Sequence, residues 1–141
     1  MSFVSVEVRD EITVLALNRP KANAFSPELV SELAARRIPL TVCPLSNVKL
    51  GVFPTLARHN LKDLLHRGLC VTVNSDDPAY FGGYVLENYL AAQEALGLTH
   101  ADLTQLARNS ITASFLPQEA KREWLSRIER YAEANRERSP S

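Results

Sequence analysis

Apolar and polar residues alternate at the start of this chain. Val4-Ser5-Val6-Glu7-Val8 and Ile12-Thr13-Val14-Leu15-Ala16-Leu17 flank Arg9-Asp10-Glu11, and this period of two predicts a β-hairpin. The pattern then changes. Ser26 is a good N-cap and Pro27 suits the first helical position, so a helix should run through Val30 and Leu33. Two continuous apolar runs follow, Ile38 to Val42 and Leu69 to Val73, which predict parallel barrel-type strands. The stretch from Pro54 to Arg67 predicts an amphipathic helix joining them, with His59 and His66 on its surface. Three further helices are expected at Tyr84 to Leu96, stopped by Gly97, at Ala101 to Ser114, and at Pro117 to Asn135. Trp124 falls on the apolar face of the last, as a core residue.

Each apolar strand ends in a polar cluster. The first runs into Cys43-Pro44-Leu45-Ser46-Asn47, the second into Asn74-Ser75-Asp76-Asp77-Pro78. Neighbouring carboxylates repel unless a cation or strong donors hold them. Such pairs occur where a metal or polar substrate offsets that cost, most often at the C-terminal mouth of a parallel barrel. Asp and Pro are also ordinary turn residues, and a solvated turn is the other reading of Asp76-Asp77-Pro78.

The wording of these segments is informative. Val-Cys-Pro-Leu-Ser-Asn-Val-Lys-Leu at 42–50 and Val-Thr-Val-Asn-Ser-Asp-Asp-Pro-Ala-Tyr-Phe-Gly-Gly-Tyr at 71–84 resemble the late part of adenosine and adenine deaminases. The resemblance runs from about Arg37 to about Ala134, and Ala79 to Tyr84 look more like the adenine branch. It implies a zinc-dependent (β/α)₈ barrel that replaces a purine 6-amino group by water. It makes Asp76 the zinc-ligating aspartate and Asp77 the residue that hydrogen-bonds the purine ring, adenine or adenosine.

That family also uses a His-x-His pair, a third His and a catalytic Glu following a His. This chain has His59, His66 and His100, with no such pair and no His-Ala-x-Glu. Helical spacing sets His59 and His66 too far apart to share one ion. His100 sits in a helix start, with Thr99 as N-cap and Asp102 in the first turn. A catalytic zinc needs about three protein ligands and an open position. No complete catalytic set is present, so the expectation is a deaminase-like chain without activity of its own and without tightly bound zinc.

The opening resembles another family. Leu-Asn-Arg-Pro-Lys-Ala-Asn-Ala at 17–24, within about Phe3 to Leu33, is similar to the start of the crotonases, the enoyl-CoA hydratases and isomerases. This implies that Lys21, Ala22, Asn23 and Ala24 lie on a loop approaching coenzyme A, and gives a coenzyme A-binding remnant as the alternative function. A chimera with neither activity is a third reading.

The expected organisation is therefore a crotonase-like hairpin and helix at 1–36, a deaminase-like barrel fragment at 37–135 and a frayed tail at 136–141. The fold class is α/β: a partial (β/α) barrel, its last two strands plus C-terminal helices, preceded by the hairpin and helix. The first helix should run straight into the first barrel strand near Ala34-Ala35-Arg36-Arg37. At 141 residues and 45% hydrophobic, the chain can hold one core but falls short of the roughly 250 residues of a whole barrel. Zero net charge suggests no nucleic-acid partner. The absence of a signal peptide or long apolar run suggests a cytoplasmic protein with no membrane partner. Cys43 and Cys70 are read as buried thiols. The open edges of two isolated strands must be covered, by the hairpin in a small sandwich or by self-association.

Overall fold

The computed structural model describes residues 4–9, 12–17 and 26–135. Strands β1 (Val4–Arg9) and β2 (Ile12–Leu17) pair antiparallel, with Val4 opposite Leu17 and Arg9 opposite Ile12. This is the hairpin that alternation predicts; Asp10 and Glu11 of its turn lie outside the described residues. Val4 is buried while Val6 and Val8 on the same face are exposed, so only one end of that face joins the core.

Helix α1 (Pro27–Ala35) starts as its residues dictate. Ser26 Oγ accepts the Leu29 amide at 3.3 Å and Pro27 occupies the first turn. Leu29, Val30 and Leu33 form its buried face. The helix does not run on into β3 (Pro39–Val42). Arg37 turns left-handed at φ 53°, its amide bonds Ala34 O at 3.0 Å, and the Ile38 amide reaches Leu33 O at 3.1 Å. These two bonds make a Schellman stop.

The same passage recurs. Helix α3 (Leu61–His66) ends at Gly68, φ 79°, with the Gly68 amide on Leu65 O and the Leu69 amide on Leu64 O, and leads into β4 (Cys70–Val73). The two strands then pair parallel in register, Pro39 with Cys70 through Val42 with Val73. Glycine takes the left-handed turn freely at 68; arginine at 37 does so against its Cβ.

Between β3 and α3 lie α2 (Pro44–Lys49) and a 3₁₀ turn (Leu56–Arg58). The single helix expected over 54–67 is thus broken at His59-Asn60. After β4 come α4 (Pro78–Phe81), α5 (Val85–Leu96), α6 (His100–Ala113) and α7 (Gln118–Asn135). The last three match the pattern, including Gly97 as left-handed cap and a Thr99/Asp102 capping box. Lys62 Nζ donates to Leu96 O and Gly97 O, covering the carbonyl end of α5.

One apolar cluster joins Val4, α1, both parallel strands, α3 and α6 through Leu33, Leu61, Val71 and Leu106. Among the described residues the hairpin forms its own two-stranded sheet and does not pair with β3 or β4, so it does not cover their edges as expected. Among the described residues, β3 and β4 each have one ladder partner only. Part of the free edge of β4 is covered by α6, where Asn109 Nδ2 donates to Val71 O at 2.8 Å. Trp124 is not core: it is 43% exposed on α7, with the Arg127 guanidinium 4.4 Å above its ring. No described helix is long and apolar enough to cross a membrane.

Candidate functional site

Parallel pairing in register brings the carboxyl ends of β3 and β4 to one mouth. The ladder extends by one bond there, from the Asn74 amide to Val42 O at 2.9 Å. Asn74 Nδ2 donates to Thr72 Oγ1 at 2.8 Å, and that hydroxyl donates to Leu40 O, so the polar start of the cluster is anchored to both strands.

Asp76 follows with φ 58°, a left-handed conformation that costs most residues about 1 kcal/mol and that Asp tolerates better than most. This twist parts the two carboxylates. Asp76 Oδ2 accepts the hydroxyl of Ser46, 2.7 Å away and only 1% exposed, from the first turn of α2 after the other strand. Asp77 turns into its own chain: Oδ1 accepts the Ala79 and Tyr80 amides, both at 3.1 Å, as N-cap of α4. Like-charge repulsion between neighbours is thereby answered with donors on each side. Both residues are exposed at the surface of the mouth.

Cys43 stands at the same mouth. Burial pushes its thiol above the ordinary value and the Asp76 carboxylate pushes it further, while a hydrogen bond from the Asp76 backbone opposes them. Cys43 and Cys70 are free thiols, and both are half-buried rather than buried, because Cys43 lies past the end of β3 and Cys70 opens β4.

The histidines are placed elsewhere. His59 is not a helix-surface residue; it is 5% exposed, its Nδ1 accepts the Leu61 amide at 3.0 Å and its Nε2 donates to Asn47 Oδ1 at 3.0 Å. Both ring nitrogens are thus engaged, and burial lowers the pKa of the ring. His66 Nε2 sits 2.8 Å from Asp102 Oδ1, linking α3 to α6. His100 lines a groove of about 580 Å³ between α5, α6 and α7, together with Leu103, Trp124 and Tyr131.

Zinc requires several nitrogen, sulfur or carboxylate donors converging on one point. Among the described residues no group of three or more His, Cys, Asp or Glu could hold a metal ion. The described donors therefore do not make a zinc site by themselves. Lys21, Ala22, Asn23 and Ala24 lie outside the described residues.

Sequence reasoning missed Ser46 as the partner of Asp76. It also missed Asn88, fully buried on α5, which bonds the backbone beside Ser46. The spacing of Asn88 and Ala92, both on the buried face of α5, is the signal that could have found it.

A profile of the family described as Adenosine deaminase matches residues 9–131. An adenine deaminase of Chlorobium phaeobacteroides is 64% identical over 100 residues, 71% of this chain and 30% of that protein. Among solved structures, the adenine deaminase of Arthrobacter aurescens superposes with a TM-score of 0.74 at 42% identity, over 77% of this chain and 33% of that one. An amidohydrolase from Burkhoderia ambifaria with bound zinc gives a TM-score of 0.69 at 27% identity, over 77% of this chain and 30% of that one. The chain spans about a third of the length of the relatives it matches. The profile begins inside the hairpin and includes α1, so the likeness extends further toward the amino end than the motifs do.

Proposed function

This chain belongs to the adenosine deaminase family, and we propose that it is the substrate-side part of an adenine deaminase-like barrel, inactive by itself. In this reading Asp76 is the carboxylate offered to zinc, Asp77 hydrogen-bonds the purine, and the remaining zinc ligands and the proton-transferring Glu come from outside this chain. The observation that carries it is the Ser46–Asp76 bond at the joint mouth of two parallel strands. A buried hydroxyl donating to an exposed carboxylate fixes the orientation of that group, which is how outer-shell partners serve a metal ligand.

Complementation tests the reading. The chain is mixed or coexpressed with the first two thirds of an adenine deaminase relative, and hypoxanthine and ammonia formed from adenine are measured with zinc. The expected result is no turnover by either piece alone, turnover by the pair, and loss in Asp76→Ala. Turnover by this chain alone would overturn the assigned inactivity. Turnover by the pair that survives Asp76→Ala would overturn the role of Asp76.

A further inference from the structure

We propose that Asn88 is a positioning residue for Asp76: from α5, its carboxamide holds the first turn of α2 so that Ser46 stays against the Asp76 carboxylate. The proposal takes from the functional reading only that Asp76 is the working carboxylate.

The amino end of α2 lacks a cap of its own. Helix α2 starts with Pro44, which has no amide hydrogen, and the side chain of Cys43 makes no capping bond. The first orphan donor is therefore the Leu45 amide, one residue before Ser46. Asn88 Oδ1 accepts it at 3.1 Å. The cap is thus supplied by another helix, 43 residues away in sequence.

The other end of the carboxamide faces the opposite loop. Asn88 Nδ2 donates to Tyr84 O at 2.9 Å and to Gly83 O at 3.3 Å, and the side chain is 0% exposed. Both amide hydrogens and one lone pair are used, so the group has one orientation. It joins the segment after β3 to the segment that follows Asp76, Asp77 and α4.

Gly83 supplies an independent observation of the same contact. A Cβ there would lie 2.7 Å from Leu45 Cδ1 and 3.0 Å from Glu87 Cβ. Its φ is not positive, so glycine is needed for close approach and not for conformation. Leu45 is held on both sides, its backbone by Asn88 and its side chain by Gly83. Ser46 is the next residue, and it reaches Asp76 at 2.7 Å.

The test uses the full chain without metal, observed by amide NMR in wild type, Asn88→Ala, Ser46→Ala and the double variant. Asn88→Ala is expected to speed exchange of the Leu45 amide at least tenfold and to shift the Asp76 amide resonance. In the double variant, Asp76 is expected to move no further than in Ser46→Ala, because both changes act through one hydroxyl; amides of α7 should not move. An Asp76 resonance unchanged in folded Asn88→Ala overturns the proposal, and so does an additive shift in the double variant. Gly83→Ala serves as the second arm, displacing Leu45 while leaving Asn88 in place, and it should reproduce the Ser46-dependent shift. If Asn88→Ala does not fold, this arm decides; if neither variant folds, these residues support the fold at large and the proposal is overturned. Because the measurement is metal-free, coupling seen here beside a failed complementation would remove the deaminase role of Asp76 and leave the positioning intact.

Discussion

The Ser46 hydroxyl donates to Asp76 Oδ2 across 2.7 Å, joining the start of α2 to the turn after β4, 30 residues apart in sequence. The donor is buried and the acceptor lies at the surface, so the bond restrains the carboxylate more than it stabilises the chain. Ser46→Ala is therefore expected to lower stability by only about 1 kcal/mol in urea denaturation. In the complemented barrel it should lower activity by about 10–100-fold, the size found when an outer-shell partner is lost. An activity loss no larger than threefold would count against the restraint.

Asp77 combines two roles that one pair of variants separates. Asp77→Ala removes the N-cap of α4 and should cost about 1 kcal/mol. Asp77→Asn keeps an acceptor for the Ala79 and Tyr80 amides, so stability should hold while adenine turnover in the complemented barrel falls. Full turnover in Asp77→Asn would leave Asp77 as a cap alone.

Acid should weaken the fold through two groups acting in the same direction. Burial alone would raise the Asp102 carboxyl, but hydrogen bonds from Thr99 and His66, with the charge of His66, outweigh it and hold the group below its ordinary 3.8. The unfolded chain binds that proton first, so this stability is present above about 3.8 and is lost as pH falls through the lower folded value. His59, lowered by burial from 6.5, loses stability in the same sense as pH drops below 6.5. Urea midpoints measured between pH 3 and 7 should fall toward acid, with a shallower slope below pH 4 in Asp102→Asn (pH values about the pKa windows of carboxylates and His). NMR titration of the His59 ring should give a midpoint under 6.5.

Arg37 occupies the left-handed position that Gly68 fills in the second helix-to-strand passage. Arg37→Gly should therefore stabilise the chain by about 0.5–1 kcal/mol, the relief of the Cβ clash less the greater freedom of glycine when unfolded. A urea midpoint that falls in this variant would show that the arginine side chain outweighs its backbone strain.

Self-association is the last expectation to test. The β3 edge away from β4 carries no ladder in the described residues, and Thr41 is exposed on that strand. Sedimentation should show dimers or larger species that grow with concentration, and Thr41→Lys should reduce them, as charges at strand edges do. A monomer at every concentration would remove this edge as a contact.

The main elements were legible from the order of apolar and polar residues: alternation gives the hairpin strands, continuous apolar runs the parallel strands, and helical spacing α5, α6 and α7. The short helices α2 and α4 were not, since six and four residues carry no period and proline with capping fixes their starts. His59 looked like a surface histidine because its burial depends on Asn47, a tertiary partner. The divergence of Asp76 and Asp77 rests on a positive φ that Asp permits but does not announce. The candidate site was legible as a motif, whereas its supports, Ser46 on α2 and Asn88 on α5, depend on contacts between separate elements. The coenzyme A reading rests on residues 18–24, outside the described part, and titration with coenzyme A in wild type and Lys21→Ala tests it.

The two Schellman passages bear on how this chain can be dissected. A hinge needs slack between its halves, and at Arg36-Arg37-Ile38 two backbone hydrogen bonds leave none. Leu29 and Leu33 on one side of that turn share a cluster with Val71 and Leu106 on the other. A cut at residue 36 would therefore run through a cooperative unit and leave the apolar surface that α1 covers in water.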